Sequence, residues 1–301
     1  MKKQIIKIIA TLSFLFITAS AVAQNSIEFV YYYPPGGGTD SYSAPLAESL
    51  SNQGFSVERT FFRTCAEAVR YVNQNPNGRV IVASSHDMHP TKAGRCPGLD
   101  SSNLQWVSNI MEAPHYLCTV PSKPHLTLED LFSGKEFAIG SVSSESGTLQ
   151  LKAFVKYNKN NLNVKLIPYE GGGALRIAAL SGRDIDFVLA GNDAPIFIKE
   201  GSTCLASTSK DNYFNLPHIA NFLEGFEYPS FALNLSLWSV GDLTSTETEA
   251  LINAFRSEEF VGFLQTREGV VHRGIASDVP VNNQFNSVKK QIQALDFLRE
   301  N

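Results

Sequence analysis

This sequence predicts an α/β protein of two lobes, each a mixed sheet flanked by helices. Three observations carry the prediction: strand and helix patterns alternate, the alternation breaks off and restarts, and two extended segments join the halves. Ile27 to Tyr33 reads as a buried strand. Leu46, Ala47 and Leu50 then share one face of a helix over roughly Ala44 to Gln53. Phe55 to Phe61 is rich in strand formers, Ala66 to Gln74 is a short amphipathic helix, and "RVIVAS", Arg79 to Ser84, is a third strand. That order is the signature of parallel strands covered by helices.

The pattern then restarts. Strands are expected at Tyr116 to Val120, Glu136 to Ile139, Val164 to Ile167, Asp186 to Ala190 and Thr203 to Ser207, with helices ending near Tyr157, Leu180 and Lys199 between them. The last third differs. Phe231 to Val240 is extended, and helices follow at Thr246 to Phe255, Glu258 to Gln265 and Val288 to Arg299, which we expect to pack back on the first unit. Extended segments at 114–122 and 229–240 make two crossings. They divide the chain into lobe 1, 24–118 plus 232–301, and lobe 2, 119–231. Hinges are expected near 118–122 and 229–236.

Residues 1–23 stand apart: Lys2, Lys3 and Lys7 precede an apolar stretch from Ile8 to Ile17, and Ala21-Val22-Ala23 ends it with small residues. This is the pattern of a cleavable signal peptide, and it implies export to the periplasm. The apolar stretch is shorter than the ~20 residues that span a bilayer. Cleavage before Gln24 would take 25 basic residues to 22 against 29 acidic ones, a charge of −7. With no basic stripe, nucleic acid is not an expected partner. Cys65, Cys96, Cys118 and Cys204 all follow the leader, and an oxidising compartment favours disulfides. Of the three pairings that four cysteines allow, Cys65–Cys96 and Cys118–Cys204 are expected; four buried thiols are the plain alternative.

Chemistry concentrates in three strand-to-helix turns of little bulk, "PPGGGTDS", "SSESGT" and "YEGGG". Glycine lets backbone approach a ligand, and the helix start behind it offers unpaired N–H groups with partial positive charge. Each turn is therefore an anion seat. Thr39, Asp40, Ser41 and Ser43 are all helix-start types, and Asp40 in the plain reading is a cap. No Lys-Ser/Thr follows the glycines, so this is no nucleotide phosphate loop, and the spacing is not that of a dinucleotide fingerprint.

"YYYPPGGGTD" resembles the "PFPPGGGTD" segment of the tripartite tricarboxylate transporter receptors, the TctC or Bug family of periplasmic solute-binding proteins. "VKLIPYEGGGALRIAALSGRDIDFVLAGNDA" is similar to that family's "VPYKGG…AL…LLGGQVD…" stretch, and "AIGSVSSESGT" stands where the family has "YGSAGxGSxxH". The resemblance covers essentially the whole chain after the leader. It implies a type II periplasmic-binding-protein-like fold, no enzymatic activity and no cofactor. The implied ligand is a small organic carboxylate, with integral-membrane permease subunits of a tripartite transporter as partners of a monomer. Carried over, first-lobe contacts would be Pro35, Gly36, Gly37, Thr39 and Asp40, joined by Ser84 and Ser85 in the next strand-end loop. Second-lobe contacts would be Ser143, Ser146, Thr148, Tyr169, Gly171, Gly172 and Asn192 or Asp193. Tyr33 and Tyr169 flank the turns and are candidates to stack on a flat ligand, with core packing the bland reading.

The sequence departs from the family at "TFFRTCAEAV", which replaces a glycine-rich turn. Arg63 there is a candidate for a bidentate pair with a second carboxylate, and a surface arginine is the bland alternative. His86 is a candidate ligand contact, or a loop cap. His86, His89 and Cys96 suit no standard zinc spacing, so no metal is expected. Two other readings compete. A ligand-sensing subunit for a sensor kinase would use the same cleft. An exported α/β hydrolase would need a nucleophile, but no G-x-S-x-G elbow exists, and Ser84, Ser85 and His86 lie too close in one loop for triad geometry.

Overall fold

The computed structural model describes residues 25–33, 35–36, 38–74, 79–84, 104–142, 145–160, 162–169, 171–271 and 281–300. The expected leader and the candidates Gly37, Ser85, His86 and Ser143 lie outside them, as does Cys96. In chain order the elements are β1 (Ser26–Tyr31), α1 (Gly38–Asn52), β2 (Ser56–Phe61), α2 (Cys65–Gln74), β3 (Arg79–Ser84) and β4 (Leu104–Pro114). Then come β5 (Tyr116–Thr119), α3 (Leu128–Leu131), β6 (Phe137–Val142), α4 (Glu145–Lys156), β7 (Val164–Tyr169), α5 (Gly171–Ser181), β8 (Phe187–Ala190), α6 (Ala194–Lys199) and β9 (Cys204–Ser207). After a 3-10 turn at Ile219–Phe222, β10 (Ala232–Val240), α7 (Ser245–Arg256), α8 (Glu258–Gln265) and α9 (Val281–Glu300) complete the chain.

Two five-stranded sheets result, ordered β2-β1-β3-β10-β4 and β7-β6-β8-β5-β9. Each has three parallel strands, and next to them an antiparallel strand that has just arrived from the other lobe: β10 in the first sheet, β5 in the second. Both faces of each sheet are covered, because successive strand residues point to opposite sides. In β1, Ile27, Phe29 and Tyr31 join Leu46 and Leu50 of α1, Leu251 and Phe255 of α7, and Phe260 of α8 in one core. Val30, the residue between, packs with Val69 and Val72 of α2 and with Trp238 on the other face. The second sheet repeats this, with Phe187 and Leu189 beside Phe154 of α4, and Val188 beside Leu175 of α5 and Phe197 of α6.

Four expectations need correction. β4 is an eleven-residue strand where no strand was foreseen. Its buried Ser108, Asn109 and Glu112 interrupt any apolar run, and they are tolerated because partners meet them. Asn109 Nδ2 donates to Asn234 Oδ1 (3.1 Å) and Glu112 Oε1 (3.2 Å), and Ser236 Oγ donates to Asn109 Oδ1 (2.5 Å). Secondly, α1 begins at Gly38 and carries Pro45 inside it, rather than starting near Ala44. Thirdly, the first crossing is His115 alone, between Pro114 and Tyr116, so the expected boundary at 118/119 falls inside β5. Lastly, α9 does not stay with the first lobe. Its Phe285 meets Trp106 of β4, whereas Leu295 enters the second-lobe core and Phe297 stacks on Phe226.

Cys118 and Cys204 are register partners in β5 and β9 and form a disulfide that closes an 86-residue separation. Cys65 is also disulfide-bonded; its expected partner lies outside the described residues. Among the described residues no helix is long and apolar enough to cross a membrane.

Candidate functional site

In a sheet ordered 2-1-3, the chain leaves the first and third strands on opposite sides, which opens a crevice beyond their carboxyl ends. Both lobes have that order, so the inner turns are those after β1 and β3 and those after β6 and β8. The helix after β1 and the turn after β8 approach each other. The hydroxyl of Tyr42, in the second turn of α1, lies near the side chains of Asn192 and Asp193 in the turn after β8. Burial raises the Tyr42 pKa, with the Arg267 guanidinium and the Asn192 side chain opposing and the Asp193 charge adding to it. The His115 ring lies against Gly191 of the same turn, at the crossing itself.

The first-lobe turn is built around Gly36, whose φ of 77° is left-handed backbone that a side chain disfavours. Pro35 and Gly36 are exposed, Thr39 is half-buried in the first turn of α1, and the helix start at Gly38 is open to solvent. Asp40 reaches back from that turn to accept the Gly36 N–H (2.8 Å), and its other oxygen pairs with Arg59 Nη1 (2.7 Å). Asp40 thus stands inside α1 rather than at its cap, and ties the preceding turn back to the helix. Ser43 is a core residue, sharing its hydroxyl with Tyr31 (2.8 Å) and the Thr39 carbonyl (2.8 Å). Ser84 ends β3, beside the crevice.

In the second lobe, Ser146 lies in the first turn of α4 and half-buried Thr148 follows it. Gly171 and Gly172 open α5. A side chain at Gly172 would bring its Cβ to 3.1 Å from Asp193 Oδ2, so the missing Cβ admits that carboxylate to the helix start. Asp193 holds the N-cap position of α6 yet makes no side-chain cap bond. Among the described residues no hydrogen bond or ion pair engages its carboxylate, and Arg176 acts on it only at a distance. Burial therefore raises its pKa, with Arg176 only partly offsetting the shift.

Three candidates stand elsewhere. Arg63 follows β2, an edge strand, and is exposed, while the backbone N–H groups of Arg63 and Thr64 donate to Glu67, which caps α2. The Tyr33 ring lies tilted against Tyr32 (4.4 Å between centroids), on the α2-side core. The Tyr169 ring packs on the α5 side of the second sheet, close to Gly140. Sequence reasoning missed Tyr42, His115, Arg59 and Arg267. Tyr42 sits four residues past the glycines, on a helix thought to begin later, and His115 stands alone between two strands. Among the described residues no cluster of His, Cys, Asp and Glu is suited to a metal.

The crossings are knotted at Thr208. Its N–H donates to His115 O (2.9 Å) and its hydroxyl to Phe231 O (2.9 Å), while His115 N donates to Thr208 Oγ1 (3.0 Å) and Phe231 N to Thr208 O (2.9 Å). A second strap is the loop after α8, where Tyr116 Oη of lobe 2 donates to Gly269 O (3.0 Å).

Two α/β lobes, two crossings and a crevice at the carboxyl ends of the inner strands define a periplasmic-binding-protein fold of type II. Among solved structures the chain is similar to a TctC solute-binding protein from Polaromonas, with a TM-score of 0.70 and 15% identity over 93% of this chain and 99% of that one. MatC from Rhodopseudomonas palustris, solved with bound malate, gives a TM-score of 0.64 and 15% identity over 91% and 98%. The periplasmic binding protein BugD gives 0.61 and 15% over 91% and 97%. At such identities the likeness establishes the fold. No family model and no curated protein sequence matches the chain.

Proposed function

We propose that this protein is an exported solute receptor that captures a small carboxylate between its lobes and hands it to the permease of a tripartite tricarboxylate-type transporter. Residues 1–23 would direct export and be removed before Gln24. One observation supports the reading: Tyr42 on the first-lobe helix that follows the glycine turn lies near Asn192 and Asp193 in the second-lobe turn after β8, and Asp193 in turn lies beside the glycine start of α5. Helix starts offer N–H donors and partial positive charge to an anion. Solute contacts to both lobes favour the closed arrangement, so binding is linked to closure about His115 and Phe231. The structural neighbours support the assignment, one of them having been solved with a dicarboxylate. No step in this function makes or breaks a bond.

Thermal unfolding with a panel of mono-, di- and tricarboxylates and amino acids tests it. A solute at a hundred times its Kd stabilises the fold by about 2.7 kcal/mol, a shift of several degrees. A panel without any shift overturns the reading.

A further inference from the structure

The two acidic side chains beside the crevice are not equivalent. Asp40 is neutralised: one oxygen holds the Gly36 amide and the other holds Arg59. Asp193 has no such partner. Its carboxylate lies against the start of α5, in space that glycine leaves open, and its charge acts on the nearby Tyr42 hydroxyl. The seat that a solute carboxylate would take at α5 therefore already holds a negative charge belonging to the chain. A second anion there would be repelled. A half-buried carboxylate without a donor is costly, and proteins meet that cost by bringing a donor to it.

Resting on the receptor reading above, we infer that the solute carries an ammonium group as well as its carboxylate, and that Asp193 receives the ammonium. The solute carboxylate is then left to the open helix start at Gly38 and to the first turn of α4, away from α5. A charge-assisted bond from ammonium to Asp193 is stronger than a neutral one, so amino acids bind more tightly than the same skeletons without nitrogen. The burial that raises the Asp193 pKa is the same desolvation that an ammonium would relieve.

Calorimetric titration with matched pairs decides the matter: aspartate against succinate, glutamate against glutarate, alanine against propionate. The expected result is at least tenfold tighter binding of the amino acid in whichever pair binds, and loss of that preference in Asp193→Asn. Gly172→Ala, which crowds the Asp193 carboxylate, is expected to reduce the preference in the same direction. Circular dichroism shows whether each variant is folded. Equal affinity within a binding pair, or a preference that survives in folded Asp193→Asn, overturns the inference and leaves the receptor reading standing. If no acid of either kind binds, the receptor reading falls and takes the inference with it.

Discussion

The two lobes share a plan and differ in how they treat the acid beside the crevice. Each places three parallel strands in the order 2-1-3 and borrows an antiparallel strand from the other. The first lobe satisfies its acids. Besides Asp40, Glu28 on β1 accepts from Thr60 Oγ1 (2.6 Å), Tyr71 Oη (2.6 Å) and Arg79 Nε (2.5 Å). Burial pushes the Glu28 pKa up, but these three donors and the Arg79 charge outweigh it and hold the pKa below the usual value. The second lobe leaves Asp193 unmet. A charge answered within the chain stabilises the fold, whereas one left open is kept for something that arrives.

The largest effect expected from separating the lobes is on stability. Replacing both Cys118 and Cys204 with serine frees an 86-residue loop, and in the chain-entropy picture a loop of that size is worth about 4–5 kcal/mol. Chemical denaturation should show the loss, and a first-lobe probe such as Trp106 or Trp238 should report a smaller change than a second-lobe one. Next is Gly36→Val. A branched side chain at φ 77° costs roughly 1–2 kcal/mol, and the turn must move, so solute affinity should fall more than tenfold while the fold survives. Tyr42→Phe removes a hydroxyl that lies beside Asn192 and Asp193 at the crevice. A net hydrogen bond from it to the solute is worth about 1 kcal/mol, so titration should show solute binding weakened roughly fivefold.

The smallest effects test the contrast between the acids directly. Glu28 has a depressed pKa, so the unfolded chain binds its proton more readily; the stability it supplies is present above its unfolded pKa and is lost as pH falls through the folded value. For Asp193 the sign reverses. Its raised pKa means the folded chain binds the proton more readily, so stability falls as pH rises from the unfolded pKa through the folded one. Melting curves of the solute-free protein near neutral pH should therefore show Glu28→Gln lowered and Asp193→Asn unchanged or slightly raised. If both variants lose stability alike, the contrast between the lobes fails.

Much of the architecture was legible in the chain because apolar alternation reports strands covered on both faces. Ile27, Phe29 and Tyr31 read correctly, and so did Phe187 to Ala190. β4 was not legible, since Ser108, Asn109 and Glu112 look like loop residues until Asn234 and Ser236 are set beside them. The start of α1 was misplaced because Pro45 normally marks a first turn, whereas here the glycine turn requires the helix end six residues earlier. The turns after β1 and β7 stood out by their glycines. What glycines cannot reveal is which side chain fills the space they leave, and the approach of Asp193 to Gly172 depends on tertiary packing. Arg63 was overvalued for the same reason: exposure and strand order, rather than residue type, decide whether an arginine reaches a crevice.

α9 has 20 residues, and a helix of that length measures about 30 Å. It is anchored by Phe285 at one end and by Leu295 and Phe297 at the other, on different lobes. A splint fastened to both halves of a clamshell limits how wide the shell swings unless one fastening slips. On the proposed receptor function, release of cargo would be governed partly by how readily an aromatic pair far from the cargo unstacks, and a membrane partner that gripped the splint would hold leverage over both halves at once.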